Sequence, residues 1–210
     1  METCQKILQE GLQRLDISSD ESQLEALLKF IKLIEKWNKT YNLTAVRNRE
    51  EMARLHILDS LSVLPYIKGN RVADIGTGAG LPGIPLAIFL PHVEFTLVDS
   101  NSKKTRFVQQ AILELKLKNV TVIHARVESF QPETVFSTVM MRAFASLQDI
   151  MHLTKHLIDP LGILLAMKGQ QPDAEEIKAL TTPSSIIQLN VPGVEAERCL
   201  IRIEGEANHG

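Results

Sequence analysis

Two acids and three glycines carry the clearest chemistry in this chain. Asp74 and the glycines lie in Val72-Ala73-Asp74-Ile75-Gly76-Thr77-Gly78-Ala79-Gly80-Leu81-Pro82-Gly83, and the second acid is Asp99. Apolar Val72, Ala73 and Ile75 around Asp74 predict a short buried strand. Gly76, Gly78 and Gly80 at alternate positions predict a tight turn whose backbone comes close to a ligand. Pro82 and Pro85 suit the first turn of a following helix, where a missing N–H costs least. Exposed N–H groups at that helix start favour an anion or a carboxylate. Gly78-x-Gly80-x-x-Gly83 also fits a dinucleotide fingerprint, which by itself is weak. Asp74, two residues before the first glycine, tilts the choice. Its carboxylate suits an ammonium group, met directly or through water, and would repel a pyrophosphate. Asp99 closes the next apolar run, 95–98, where an acid can accept both hydrogen bonds of a ribose diol. Adenosine with a charged amino-acid tail, S-adenosylmethionine, uses both acids. The bland alternative for each is a strand-end turn residue.

The elements that must position these residues follow from periodicity. Strands are predicted near 71–75, 94–99, 120–124, 135–141 and 161–167, and helices near 83–90, 102–117, 146–157 and 172–180. Alternation of this kind implies an α/β fold, a mostly parallel sheet with helices on both faces. Its ligand lies at the carboxyl ends of the strands. The last apolar runs, 186–191 and 199–203, are separated only by Pro192-Gly193-Val194 and a few polar residues, and predict an antiparallel hairpin at the sheet edge.

The strand ends supply further candidates. Val127 and Glu128 follow the third strand, where a backbone amide and an acid can read an adenine edge; a helix-start acid is the alternative for Glu128. Arg142 and Phe144 follow the fourth. Arg142 can contact cofactor or phosphate, and Phe144 can stack a base. Lys168 ends the fifth. Lys103, Lys104 and Arg106 open the helix after Asp99, against the helix dipole, which favours a functional reading over a merely solvated face.

Ahead of the sheet, residues 1–65 read as a helical cap on the α/β domain, 66–210, the two forming one compact unit. A short helix is predicted over 3–15. Asp20 with Gln23 forms a capping-box pattern before a stronger helix built on Leu24, Leu27, Leu28, Ile31 and Ile34. Trp37-Asn38-Lys39-Thr40-Tyr41-Asn42-Leu43-Thr44 reads as a polar connector. Its aromatics and Asn38 can serve an unpaired base, or the stretch can be an apolar staple between cap and sheet. A helix near 50–64 carries His56 and Asp59 one turn apart, read as structural or substrate-facing rather than as part of a triad.

Composition excludes several classes. The 210 residues are 44% hydrophobic and 23% charged, an ordinary globular mixture. No apolar run approaches the roughly 20 residues of a membrane span, and the start lacks a signal-peptide pattern. Two cysteines give no disulfide framework, so a reducing cytoplasm is expected. A net charge of −2 argues against gripping nucleic acid by bulk charge, so such a partner requires a local basic patch. His152 and His156 lack the glutamate of a metalloprotease pair, and no metal site is expected.

Four motifs in order resemble one family: 74–85, Trp37-Asn-Lys-x-Tyr-Asn-Leu-Thr, His56-Ile-Leu-Asp-Ser and Arg142-Ala-Phe-Ala-Ser-Leu. The chain resembles the small-subunit ribosomal RNA guanine-N7 methyltransferases, the glucose-inhibited division protein B family, over nearly its whole length. The resemblance implies a class I methyltransferase with a Rossmann-like seven-stranded sheet whose last strand is antiparallel, and S-adenosylmethionine as cofactor. It implies transfer of methyl to N7 of a guanine in small-subunit ribosomal RNA. By position, Gly76, Leu81, Val127, Glu128 and Arg142 match the family's cofactor contacts, joining Asp74, Gly78, Gly80 and Asp99. Ala79 stands where some relatives carry proline, and a small residue still fits. Arg142 and Phe144 are the expected catalytic pair. Lys103, Lys104, Arg106, Lys168 and Asn38 are the expected RNA contacts. The partner is ribosomal RNA or a small ribosomal subunit, assembled or assembling, and a monomer is expected. Direct attack by N7 needs no general base, so the lack of an Asp–His constellation agrees with it. A small-molecule methyltransferase and a non-catalytic ribosomal RNA binding or assembly factor are the rival readings. A nicotinamide oxidoreductase would need a second domain for which little chain remains.

Overall fold

A computed structural model describes residues 1–142 and 146–205. Its frame is a seven-stranded sheet: β1 (Arg71–Ile75), β2 (Glu94–Asp99), β3 (Val120–His124), β4 (Phe136–Arg142), β5 (Ile158–Lys168), β6 (Ser184–Gln188) and β7 (Cys199–Glu204). The order is β3-β2-β1-β4-β5-β7-β6. β1 to β5 run parallel, and β7 lies antiparallel between β5 and β6. The chain reverses its direction of strand addition between β1 and β4, which opens a crevice at their carboxyl ends. β1 needs neighbours on both edges and both faces, and its run of Val72, Ala73, Asp74 and Ile75 is buried accordingly.

The helices are α1 (Glu2–Arg14), α2 (Glu21–Tyr41), α3 (Arg49–Met52), α4 (Asp59–Leu61), α5 (Gly83–Phe89), α6 (Ser102–Leu115), α7 (Leu147–Thr154) and α8 (Ala174–Lys178). α2 starts with the expected capping box: the Asp20 carboxylate accepts from the Gln23 amide at 2.8 Å, and the Gln23 side chain accepts from the Asp20 amide at 3.0 Å. Leu8, Leu12, Leu27, Phe30 and Ile34 of the first two helices share one apolar core with Phe95 and Leu97 of β2, Ile84 of α5 and Phe107 of α6. A second cluster around Val139, Ile150, Leu164 and Ile201 covers the opposite face.

Several boundaries differ from the periodicity reading. α2 does not stop before a connector. It runs through Trp37 to Tyr41 and ends at Asn42, whose φ of 49° closes it in the left-handed region. Trp37 is edge-on to Phe107 of α6 at 5.7 Å and stacks on Tyr41 at 5.2 Å, so the apolar staple is what its ring does. The predicted helix near 50–64 is broken in type: α3 passes into a π-helical stretch, Ala53–Leu58, then into α4. β5 begins earlier, at Ile158, through an irregular register opposite Phe136 and Thr138. The helix predicted near 172–180 shrinks to α8. Among the described residues, no helix is long and apolar enough to cross a membrane.

Candidate functional site

Two cavities open side by side over the carboxyl ends of β1 and β4. The larger, about 550 Å³, is lined among others by Thr44, His56, Asp59, Gly76, Arg142 and Arg198. The smaller, about 400 Å³, is lined by the ends of β2 and β3, with Asp99, Lys104, Val127 and Glu128 on its wall. Gly76 and Arg142 border both.

The turn after β1 forms the partition. Gly76 and Gly78 have φ of 68° and 60°, a region that residues with a Cβ adopt only at a cost. A Cβ built on Gly76 would meet no atom of the described residues within 4 Å, and it would project into open cavity. Gly80 lines neither cavity, and a Cβ there would strike Ile84, so its place is in packing the turn onto α5. Leu81 lines the larger cavity.

Asp74 lies beneath this turn, fully buried. Its Oδ2 accepts from the Thr77 hydroxyl at 2.7 Å and from the Gly83 amide at 2.9 Å. Its Oδ1 has no hydrogen-bond partner among the described residues. Burial pushes its carboxyl up to about 6, against the hydrogen bonds from Thr77 and Gly83. Asp74 thus ties the turn from below rather than lining either cavity. Asp99 is buried at the smaller cavity's wall, accepting from the Gly78 amide and the Asn101 amide, both at 2.8 Å. Each oxygen keeps a further lone pair.

At the larger cavity, Arg142 at the end of β4 donates to Asp59 Oδ2 at 2.9 Å. Arg198, just before β7, donates from Nε to Asp59 Oδ1 at 3.0 Å. Burial raises the Asp59 carboxyl and the two guanidiniums pull it back. His56 Nε2 pairs with the Thr44 hydroxyl at 2.9 Å, while its Nδ1 is buried without a partner among the described residues. Burial lowers its pKa to about 4, so the imidazole is neutral. Lys168 is largely buried, with Nζ 2.6 Å from Glu176 Oε1.

Of the expected RNA contacts, Lys103 and Arg106 are exposed on the first turns of α6 and Lys104 is half-buried beside the smaller cavity. Asn38 is corrected. It is 2% exposed, its amide donates to the Val46 carbonyl at 3.2 Å and accepts from the Thr44 amide at 3.0 Å, so it holds the 44–46 loop and presents nothing to an RNA. Lys168 is corrected in part: its ammonium is engaged by Glu176 rather than offered to a phosphate. Phe144 lies outside the described residues. Sequence reasoning missed Arg198 and Thr44. Arg198 meets Asp59 across 139 residues of chain, a pairing that no local spacing signals.

The site fits S-adenosylmethionine on these observations: space at Gly76 that any Cβ would fill, an acid at the second strand end, and a buried acid with an unpartnered oxygen under the turn. Gly76, Gly78 and Leu81 would hold its amino-acid end, and Asp99, Val127 and Glu128 its adenosine.

Comparisons with known proteins agree with that fit. The family described as GidB, rRNA small subunit methyltransferase G, matches residues 23–201. The ribosomal RNA small subunit methyltransferase G of Hydrogenovibrio crunogenus is 54% identical over 85% of this chain and 83% of its own. That of Nitrosococcus oceani is 48% identical over 95% of this chain and 94% of its own. In fold, the chain is similar to the crystal structure of M. jannaschii TYW2 in complex with AdoMet, with a TM-score of 0.56 at 15% identity, over 70% of this chain and 74% of that one.

Proposed function

Because the chain belongs to the rRNA small subunit methyltransferase G family, an S-adenosylmethionine-dependent methyltransferase, we propose that it methylates N7 of one guanine in small-subunit ribosomal RNA by direct attack, without a general base. The observation that carries the mechanism is the state of the larger cavity's titratable side chains. Among the described residues, Asp59 is engaged by two guanidiniums, Lys168 by Glu176 and His56 by Thr44. Asp59 and Lys168 are held in ion pairs, and His56, whose burial lowers its pKa to about 4, is a weak base. Guanine N7 carries an in-plane lone pair and loses no proton on methylation, so it suits such a cavity where the N–H nitrogens N1 and N2 do not.

The bound cofactor would supply an electrophilic methyl carbon on a sulfonium. The chain's own part is alignment. The turn from Gly76 to Leu81 and the acid Asp99 would fix the cofactor across the two cavities, and the pocket bounded by Thr44, His56 and Arg142 would seat the base against it. Holding reactants in line is worth roughly 7–11 kcal/mol of barrier. Neutral His56 adds no charge beside a base that becomes cationic. Lys103, Lys104 and Arg106 would hold phosphates at the rim. The small ribosomal subunit, in the cytoplasm, is the proposed setting.

The pH dependence of single-turnover transfer at saturating cofactor tests this. N7 attack predicts a flat rate from about pH 6.5 to about pH 9, since no group must be deprotonated. Methylation at a guanine N–H nitrogen would instead need a base and give a rate that climbs with pH until that base is ionised, which would contradict the reading.

A further inference from the structure

Asp59 is a charge that the described mechanism does not use. Its side chain is 2% exposed, at the junction of the π-helical stretch with α4. A buried carboxylate is costly unless each oxygen is paired. Here one oxygen holds Arg142 and the other Arg198, guanidiniums brought from the end of β4 and the start of β7, strands that β5 separates. Each guanidinium has five N–H donors. Among the described residues, Arg142 gives one to Asp59, and Arg198 gives two, to Asp59 and to the Glu197 carbonyl at 2.8 Å. Both residues also line the larger cavity.

The charges there do not cancel. Lys168 is neutralised by Glu176 and His56 is uncharged, so Asp59, Arg142 and Arg198 leave one net positive charge. S-adenosylmethionine carries a sulfonium, an ammonium and one carboxylate, so it adds positive charge rather than removing it. A neutral guanine removes none. The balance must come with the RNA.

We propose that Arg142 and Arg198, braced on the buried carboxylate of Asp59, form a subsite for a phosphodiester of the substrate RNA, with Asp59 as the residue that positions it. Planar guanidinium forks match phosphate oxygens better than point charges do. The phosphate bound there fixes the backbone beside the target base while the base enters the same cavity. The inference rests on the RNA substrate proposed above. The cofactor's own carboxylate offers related oxyanion chemistry and is the alternative source.

Asp59→Asn keeps the shape and removes the charge. Affinity for small subunits purified from cells lacking this protein, measured by filter binding with the demethylated cofactor present, is expected to fall about tenfold or more. The apparent KM for subunits should rise while the affinity for S-adenosylmethionine, measured by calorimetry, stays within about twofold. Arg198→Gln should give a similar loss and reduce the slope of log affinity against log salt by about one. The double variant should lose little beyond either single one, since both break the same brace. Unchanged subunit affinity in a folded Asp59→Asn protein overturns the proposal. A selective loss of cofactor affinity overturns it too, and assigns the forks to the cofactor carboxylate. If Asp59→Asn does not fold, Arg198→Gln decides on the same readings, an unchanged affinity and salt slope being the contrary result. These are binding measurements, so they stand apart from which nucleoside the unmodified protein produces.

Discussion

Asp74 is a carboxyl that the turn requires and the protein interior penalises. Its folded pKa of about 6 lies above the ordinary 3.8, so the native chain holds the proton more tightly than the unfolded one. Stability from this group is therefore greatest below about pH 4, falls as pH rises toward about 6, and stays reduced above it. Asp74→Asn should accordingly stabilise the ligand-free protein at about pH 8, by on the order of 1–3 kcal/mol, and the gain should vanish at about pH 4. Denaturant titrations at the two pH values check this. Asp74 lines neither cavity, so the same variant should lose cofactor affinity only through the charge removed beneath the turn, and the parent's affinity should weaken in the same way as pH drops below about 6. Arg142→Ala addresses the neighbouring cavity. It should lower methyl transfer at least tenfold while leaving the circular dichroism spectrum unchanged, since removing one charged hydrogen bond costs on the order of 1.5–3 kcal/mol. Unchanged turnover would remove Arg142 from the site.

Elements decide which residues reach the cavities and which only hold others in place. Gly76→Ala adds one methyl where no atom of the described residues stands, at a φ of 68°. Backbone strain of roughly 1–2 kcal/mol is expected, but the larger effect should be loss of cofactor binding by calorimetry, because the methyl enters ligand space. Trp37→Ala separates scaffold from base-stacking roles. With its ring against Phe107 and Tyr41, the variant should lower the melting temperature, with a loss on the order of 3–5 kcal/mol, and leave the subunit KM near that of the parent. The parallel strands, the glycine turn and the capping box of α2 were legible from the sequence, because each depends on local spacing. The continuation of α2 through Trp37 to Tyr41 was not, since polar Asn38, Lys39 and Thr40 mask a helix that ends only where Asn42 turns left-handed. Nor was the π-helical stretch, because its buried Ala53, His56 and Ile57 keep ordinary helical spacing and nothing in it marks a change of helix type.

Across the whole molecule, charge is arranged rather than abundant. The net charge is −2, yet Lys103, Lys104 and Arg106 cluster at the start of α6 beside the cavity mouths. Binding to subunits should therefore weaken with salt less steeply than for a protein that grips RNA by bulk charge. What joins the cavities to the rest of the fold is long-range. Asp59 meets Arg142 across 83 residues and Arg198 across 139. Such contacts exist only once β4, β5 and β7 are side by side, which is why the strand-end candidates were readable one by one while their partners were not. The central claim, methyl transfer to guanine N7 of small-subunit ribosomal RNA, is tested most directly by incubating the protein with labelled S-adenosylmethionine and small subunits from cells lacking it. The RNA is then digested to nucleosides and the label identified. Label in 7-methylguanosine alone is expected; label in any other nucleoside, or none with cofactor binding intact, would contradict transfer to N7.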